Sequence, residues 1–294
     1  MAASLAAGAA QYGQAFSTPE EAISALGAAA KSQDTNALRV IFGPAAADLE
    51  NADRVQAAQE LSAFSTAFEK GRRIVRASDS RCVLEVGDKF WPFPVPIVKR
   101  NGQWFFDTEA GKEELLNRRI GGNELMALES VRAYVAAQHE YAERDHDGDD
   151  VLEYAQKFIS TPGTKDGLYW PPGADGEISP LGPLVAEAQG EGYTAKSREE
   201  GKPRTAFHGY FFKILTRQGK SAPGGKYDYI IHGNMIGGFA LVAWPADYGN
   251  SGVMTFIVNQ QGHVYQKDLG PHTAKTAGRM KVYDPDPTWS ASPD

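Results

Sequence analysis

The sequence predicts an α+β protein in which N-terminal helices with a small antiparallel sheet precede a long helix packed on a C-terminal antiparallel sheet. Apolar residues recur at helical spacing through the first 70 residues and again after residue 123. They alternate at the period of a strand after residue 81 and through the last third of the chain. The 294 residues, 42% hydrophobic and 23% charged, suffice to bury a sizeable core.

Three helices are predicted in the N-terminal part. The segment Thr18–Glu21 is typical of a helix start, because its threonine can cap, its proline fits the first helical position and its last glutamate completes a capping box. Asp34 can cap a second helix, which Phe42–Pro44 ends. A third helix is expected from about Arg54 to Lys70.

A small antiparallel sheet is expected next. Residues from Cys82 to Val86 alternate between apolar and other side chains, as in a strand. The prolines of Phe93–Val98 predict an extended segment at a sheet edge. Asn101-Gly102 is typical of a type I′ hairpin turn, so this segment should pair with Trp104–Phe106.

The C-terminal part is predicted to begin with a long helix. Gly121-Gly122 should break the preceding segment, and Asn123 can cap the helix that follows. Val151–Ile159 has a further helical pattern, and Ser160–Ala206 is a long segment rich in glycine and proline, of a length at which loops tend to be functional. Five strands are predicted next, at Phe207–Thr216, Tyr227–His232, Phe239–Trp244, Val253–Asn259 and Val264–Gln266. A short last helix is predicted at Thr273–Met280.

We therefore expect three parts: residues 1–15, an N-terminal α+β unit over 16–110, and a C-terminal helix-and-sheet unit over 111–294. The alanine-rich start has no basic region and no strong apolar core, so it should be a flexible tail or the remnant of a removed leader. The composition excludes a membrane span.

The segment that most suggests chemistry is ERDHDGDD, residues 143–150. Alternating acidic residues with a glycine resemble the start of a calcium loop, where carboxylates converge on a hard cation. The expected metal ligands are Glu143, Asp145, Asp147, Asp149 and Glu153. With Gly148 in the glycine slot and Glu143 in the first, Tyr154 takes the place of the usual bidentate glutamate. The alternative interpretation is a solvated acidic break between helices.

Two other clusters have alternative interpretations. Tyr169-Trp170 in the long loop could form an aromatic platform that binds a sugar or peptide, or a hydrophobic plug that holds the loop to the body. Arg72, Arg73 and Arg76 form a small basic cluster that is more typical of a solvated edge than of an RNA site. The net charge of −7 also argues against a nucleic-acid partner.

Several long strings carry a family resemblance. They are WPFPVPIVKRNGQWFFDTEAGKEELLNRRIGGNEL, KDGLYWPPG with SPLGPL, and the stretch from FHGYFFKILTRQGK to NQQGHVYQKDLG. From about Phe16 to Trp289 the chain resembles the bacterial family called domain of unknown function 2950. The resemblance implies no established activity and no assigned catalytic residues. It does imply export to the periplasm or the medium, because members usually carry export signals.

The C-terminal half also resembles type IV pilin-like and pseudopilin-like proteins. The resemblance rests on a helix opened by Asn123-Glu124, on Gly209–Phe212, on Ala243–Pro245 and on a hairpin over Gly252–Val264. Pilins begin with an apolar membrane helix, whereas this chain has an α+β unit there. Polymerisation through such a helix is therefore not implied.

Three functions remain open on the sequence. The first is a non-enzymatic, exported binding or assembly module with a protein or envelope partner, which an exposed apolar patch or edge strand would support. The second is a hydrolase whose carboxylate or metal site, at Glu143, Asp145 and Asp147, would lie in a pocket with a histidine or with Tyr169-Trp170. The third is a structural protein stabilised by calcium.

Overall fold

The computed structural model describes residues 12–51, 53–173, 176–193 and 205–292. They form an α+β protein with several sheets that are almost entirely antiparallel, as predicted. The chain divides into two compact units, Met1–Arg119 and Ile120–Asp294. Of the expected N-terminal tail, residues 1–11 lie outside the described residues.

The N-terminal unit opens with three α-helices and one 3-10 turn. They are α1 (Pro19–Lys31), α2 (Thr35–Phe42), the 3-10 turn Pro44–Leu49, and α3 (Arg54–Lys70). Thr18 Oγ1 accepts a hydrogen bond from the Glu21 N–H at 3.2 Å. Asp34 Oδ1 accepts one from the Ala37 N–H at 2.9 Å. Both predicted caps are confirmed, because each side chain satisfies an N–H that the first helical turn leaves free.

Five strands form the sheet of this unit. They are β1 (Arg72–Ser78), β2 (Arg81–Val86), β3 (Trp91–Pro92), β4 (Ile97–Arg100) and β5 (Gln103–Phe106). The strand order is β1-β2-β4-β5, and β3 pairs with β2. Asn101 and Gly102 have φ of 50° and 84°, which a type I′ turn requires, so the predicted hairpin is confirmed.

The proline-rich segment Phe93–Val98 was predicted to lie at a sheet edge, and this was wrong. Its last residues enter β4, which lies between β2 and β5. The prolines cause no conflict, because Pro94 and Pro96 precede the residues that pair. The strand order ends in β1 on one side and in β5 on the other, where Trp104 is bridged to Phe16. The sequence analysis did not assign β1.

The core of the N-terminal unit lies between the helices and one face of the sheet. Cys82, Leu84 and Ile97 of the strands are fully buried. They belong to one apolar cluster with Leu26 of α1 and Phe68 of α3. The alternation seen in the sequence of β2 therefore marks the buried face.

The helix α4 (Thr108–Tyr141) runs without interruption through 34 residues. The predicted break at Gly121-Gly122 was wrong. Each side of the glycine pair is held by a side chain: Arg119 Nη2 donates to the Leu49 carbonyl at 2.8 Å, and Asn123 Nδ2 donates to the Ser251 carbonyl at 2.8 Å. Among the described residues, no helix combines the length and the apolar character that crossing a membrane requires.

The C-terminal unit contains two short α-helices, the 3-10 turn Gly270–His272 and ten strands among its described residues. They are α5 (Gly182–Gly190), α6 (Thr273–Arg279), β6 (Tyr210–Leu215), β7 (Arg217–Gln218), β8 (Tyr227–Asp228), β9 (Ile230–Ile231), β10 (Asn234–Met235), β11 (Ala240–Pro245), β12 (Met254–Asn259), β13 (Tyr265–Asp268), β14 (Val282–Tyr283) and β15 (Ser290–Ala291). The main sheet is antiparallel with the order β15-β13-β12-β11-β6. A small sheet β14-β7-β8 and the hairpin β9-β10 complete the unit.

The C-terminal half of α4 packs on this sheet. Tyr134 is buried, and its ring meets that of Phe239 edge-on at 5.6 Å. Val131, Phe256 and Val258 belong to the same apolar cluster. The predicted arrangement of a long helix on a C-terminal antiparallel sheet is therefore confirmed.

The segment Val151–Ile159 was predicted to be helical, and this was wrong. It forms neither a helix nor a strand, and the Tyr154 N–H is bonded to the Met235 carbonyl at 2.9 Å. Ile159 forms a parallel bridge with Tyr169. Partners from elsewhere in the chain thus satisfy a backbone that would otherwise bond to itself in a helix.

Candidate functional site

The acidic loop, residues 143–153, follows the end of α4. The structure brings together Asp145, Asp147 and Asp149: one carboxylate oxygen from each lies within 4.8 Å of the other two. All three residues are exposed. Hard cations such as Ca²⁺ prefer oxygen ligands in this kind of arrangement, so these residues could hold one.

Asp145 shapes the loop through its own carboxylate. Its Oδ1 accepts hydrogen bonds from the Gly148 N–H at 2.7 Å and the Asp147 N–H at 3.1 Å. Its Oδ2 accepts one from the Asp150 N–H at 2.9 Å. These backbone donors hold the pKa of Asp145 below its usual range. The carboxylate is therefore kept charged at the centre of the loop.

Asp147 is perturbed in the opposite direction. Desolvation, followed by the negative charges of Asp149 and Asp145, raises the pKa of Asp147 above its usual value. Part of the shift in the pKa of Asp147 therefore comes from the repulsion between neighbouring carboxylates. A bound cation would reduce this repulsion.

The geometry gives a register that differs from the predicted one. With Asp145 in the first slot, the three aspartates occupy slots one, three and five. Slot six, where calcium loops make their sharp turn, then falls on Asp150, whose φ is 64°. Glu143 is not a member of the group. Glu153 is engaged elsewhere, since its Oε2 accepts a hydrogen bond from the Met235 N–H at 2.8 Å.

The β9-β10 hairpin and the end of α4 hold the loop in place. Asn234 Nδ2 donates to Asp149 Oδ2 at 2.6 Å. Gln138 is fully buried in α4, and its amide donates to the Ala155 carbonyl and accepts from the Ala155 N–H, both at 2.8 Å. Sequence analysis missed Gln138 and Asn234. The one available signal for Gln138 was its position as a polar residue on the buried face of the helix.

Tyr169 and Trp170 are placed differently from an open platform. Trp170 is only 6% exposed and Tyr169 is half-buried against the C-terminal core. The Trp170 ring lies 5.4 Å from the ring of His146, which in turn stacks on Tyr141 at 4.1 Å. This placement favours the interpretation of a plug that holds the long segment to the body.

The strand β1 presents a second kind of site, an open sheet edge. Its residues are exposed except for the half-buried Ile74. Every pair that β1 forms with described residues is with β2. The strand has seven residues and no proline, and its only irregularity lies between Arg76 and Ser78.

The pairing of β2 shows which backbone groups of β1 are free. The Leu84 carbonyl accepts from the Phe93 N–H at 2.7 Å, so the backbone groups of Leu84 point away from β1. Ile74 is the antiparallel partner of Leu84, so the N–H and C=O of Ile74 point away from β2 just as those of Leu84 point away from β1. Backbone direction repeats every second residue along a strand, so Arg72 and Arg76 have the same orientation as Ile74. The N–H and C=O of Arg72, Ile74 and Arg76 therefore face outward from the sheet.

The arginines of β1 are partly fixed on the sheet. The Arg73 guanidinium lies 4.3 Å from the centre of the Phe90 ring and pairs with Glu85 at 2.5 Å. The Arg72 guanidinium lies 4.7 Å from the Phe68 ring. Both arginines are nevertheless exposed.

A groove lies beside the same sheet. It has a volume of about 550 Å³ and is lined by Ala63, Ala67, Val86 and Trp91 together with the polar residues of its rim. Trp91 is 63% exposed, an unusual exposure for so large an apolar side chain. The N-terminal unit therefore offers exposed aromatic surface as well as an open edge.

The comparisons with known proteins give one match. A family model described as "Protein of unknown function (DUF2950)" matches residues 13–292. The matched range includes both the acidic loop and β1. No curated protein and no solved structure gives a significant match.

Proposed function

The chain belongs to the DUF2950 family, whose description assigns no activity, and on that premise we propose that it is a non-enzymatic, exported binding or assembly module of the bacterial envelope. The observation that carries this proposal is the open edge strand β1.

Export is supported by the resemblance to a family whose members usually carry export signals. Expression from the natural gene and fractionation of the cells should place the protein in the periplasm or the medium; retention in the cytoplasm would contradict export.

An open edge of this length is uncommon in a protein that has no partner for it. Edge strands are usually protected by shortness, by charged side chains, by proline, by bulges or by a covering element. In β1 the last residues are bulged and three arginines disfavour pairing with a like-charged strand, but nearly the whole strand is exposed. Outward-facing N–H and C=O groups at three alternate residues are what a partner strand needs for β-augmentation.

The test is a change that closes the edge without removing a β1-β2 hydrogen bond. Ile74→Pro removes an N–H that faces outward, whereas Ile74→Val keeps that N–H and most of the side chain. We expect peptides selected on the wild type from a display library of short random sequences to bind Ile74→Val and to bind Ile74→Pro at least about tenfold more weakly, a difference of about 1.4 kcal/mol.

Ile74 also contributes to the core, so a second variant is needed. Arg76→Pro removes the next outward N–H at an exposed position, with Arg76→Gln as its control. Far-UV circular dichroism and thermal unfolding establish that each variant is folded. Selected peptides that bind both proline variants as tightly as their controls would contradict binding at β1.

A second candidate function is stabilisation of the C-terminal unit by calcium. The observation that favours it is the convergence of Asp145, Asp147 and Asp149. Their loop follows α4 and is hydrogen-bonded to the β9-β10 hairpin through Asn234. A cation held there would tie these elements together. It would stabilise the folded state because the unfolded chain cannot hold the three carboxylates in place.

Thermal unfolding of EDTA-treated protein, titrated with Ca²⁺, Mg²⁺ and Zn²⁺, tests this candidate. We expect Ca²⁺ at a hundred times its Kd to stabilise the wild type by about 2.7 kcal/mol. Asp147→Asn should abolish the effect, whereas Glu143→Gln, which alters an exposed acid outside the group, should keep it. An equal response in the two variants, or a flat response of the wild type, would contradict calcium binding at this triad.

A further inference from the structure

The net charge of β1 and its paired strand β2 is opposite in sign to that of the whole chain. Residues 72–86 contain four arginines and two acidic residues, within a chain of net charge −7. Three of the arginines lie within β1. A partner that docks at this edge therefore meets a local excess of positive charge, and a complementary partner is acidic.

The side chains of β1 show where the acidic groups of a partner would lie. Arg72, Ile74 and Arg76 point to the same face of the sheet, because they are two residues apart in one strand. They are also the residues whose backbone groups face outward. In an added antiparallel strand, the residues directly opposite them would have their side chains on that same face.

We infer that β1 binds an extended segment of another polypeptide in which an acidic, an apolar and an acidic residue stand at alternate positions opposite Arg72, Ile74 and Arg76. This inference rests on the proposed binding function and specifies the partner. The apolar residue would extend the partly buried surface of Ile74, and the acidic residues would pair with the arginines.

Self-pairing of β1 is disfavoured by its charge. Antiparallel self-pairing centred on Ile74 would bring Arg72 of one copy opposite Arg76 of the other. Like charges that face each other across a ladder are destabilising. The charge of β1 thus favours an acidic partner strand over a second copy of β1.

Polyanions other than a polypeptide would pair with the arginines of β1 but not with its backbone. A nucleic acid or an anionic lipid surface could neutralise the arginines, but neither offers the alternating N–H and C=O groups that the outward-facing backbone of β1 needs. The ladder therefore favours a polypeptide, and the test has to separate the ladder from the charge.

The probe is the peptide acetyl-Thr-Glu-Thr-Val-Thr-Glu-Thr-amide, added to the full chain at millimolar concentration. One control peptide has lysine in place of both glutamates. A second control keeps the glutamates and carries N-methyl groups on the two glutamates and the valine, so that it retains the charge and cannot form the ladder. Binding is followed by NMR titration and by amide hydrogen exchange at Arg72, Ile74 and Arg76.

We expect the acidic peptide to slow exchange at these three amides at least about tenfold, and both control peptides to bind at least about tenfold more weakly. The double variant Arg72→Gln/Arg76→Gln should weaken binding of the acidic peptide while exchange in the free protein stays unchanged. A single-stranded oligonucleotide and phosphatidylglycerol vesicles should leave the three amides unprotected.

Two outcomes with the designed peptides would overturn the inference. One is an acidic peptide that leaves exchange at the three amides unchanged. The other is equal binding of the N-methylated peptide, which would show attraction by charge alone. If peptides from the random library protect these amides without acidic residues, the partner chemistry is wrong and the binding function stands. If no peptide of either source protects them, both fail.

Discussion

The side chain of Gln138 bonds to the backbone of Ala155 in the way that a neighbouring strand would. Its amide forms two hydrogen bonds with the backbone of Ala155, and its Nε2 also donates to Tyr134 Oη at 3.0 Å. All of these groups are buried. The segment after the acidic loop is therefore fixed to α4 through Gln138 and Ala155, which lie 17 residues apart in the chain.

Replacing Gln138 should be costly. In Gln138→Leu the buried N–H and C=O of Ala155 both lose their partner, and each unsatisfied group costs about 1–3 kcal/mol. We expect the free energy of unfolding to fall by about 2–6 kcal/mol, measured by denaturant unfolding, together with faster amide exchange at Ala155. Glu140→Leu, at an exposed position of the same helix, is the control and should change stability by less than about 0.5 kcal/mol. Similar losses in the two variants would show that the bonds to Ala155 contribute little.

The acidic loop was only partly predictable from its residues. Alternating acids indicated converging carboxylates, and Asp145 and Asp147 do converge. The sequence placed Gly148 in the turn slot because glycine is the residue that most readily adopts a positive φ. The structure has positive φ at both Gly148 and Asp150, and only the second fits a loop that begins at Asp145. Which residue takes the first position of the loop depends on the hydrogen bonds that Asp145 makes, and the spacing of acidic residues in the sequence does not show those bonds.

At the scale of elements, α4 shows how tertiary contacts override local propensity. Two glycines in a helix interior cost about 1–2 kcal/mol relative to alanine. Glu124 Oε1, directly after them, accepts hydrogen bonds from the N–H groups of Val253 and Met254, both at 2.9 Å. Together with the bond from Asn123 to Ser251, these contacts keep the helix continuous past the glycine pair.

The same reasoning separates the predictable elements from the others. Helices with a cap and a periodic face, such as α1 and α3, were placed correctly because their signals are local. The strand β1 was missed because its arginines obscure any alternation, and its structure comes from pairing with β2. Val151–Ile159 has a helical spacing of apolar residues, but its backbone is bonded to Met235 and Gln138 instead. Long-range partners decided both cases.

At the scale of the whole molecule, the chain has two separate apolar clusters. One contains Leu84 and belongs to the N-terminal unit, and the other contains Leu241 and belongs to the C-terminal unit. The described residues of the two clusters do not overlap. Compact units with their own cores commonly unfold in separate steps, so a single free energy of unfolding need not describe this chain.

A reciprocal pair of core substitutions tests this independence. Leu84→Ala and Leu241→Ala each remove a side chain that is fully buried, and each should cost about 2–5 kcal/mol in its own unit. Native-state hydrogen exchange reports the two units separately, through the amides of β2 and β4 on one side and of β11 and β12 on the other. We expect each substitution to lower protection in its own set of strands and to change the other set by less than about 0.5 kcal/mol. Equal loss of protection in both sets would mean that the two cores unfold together, and stability effects measured at the acidic loop would then also report on β1.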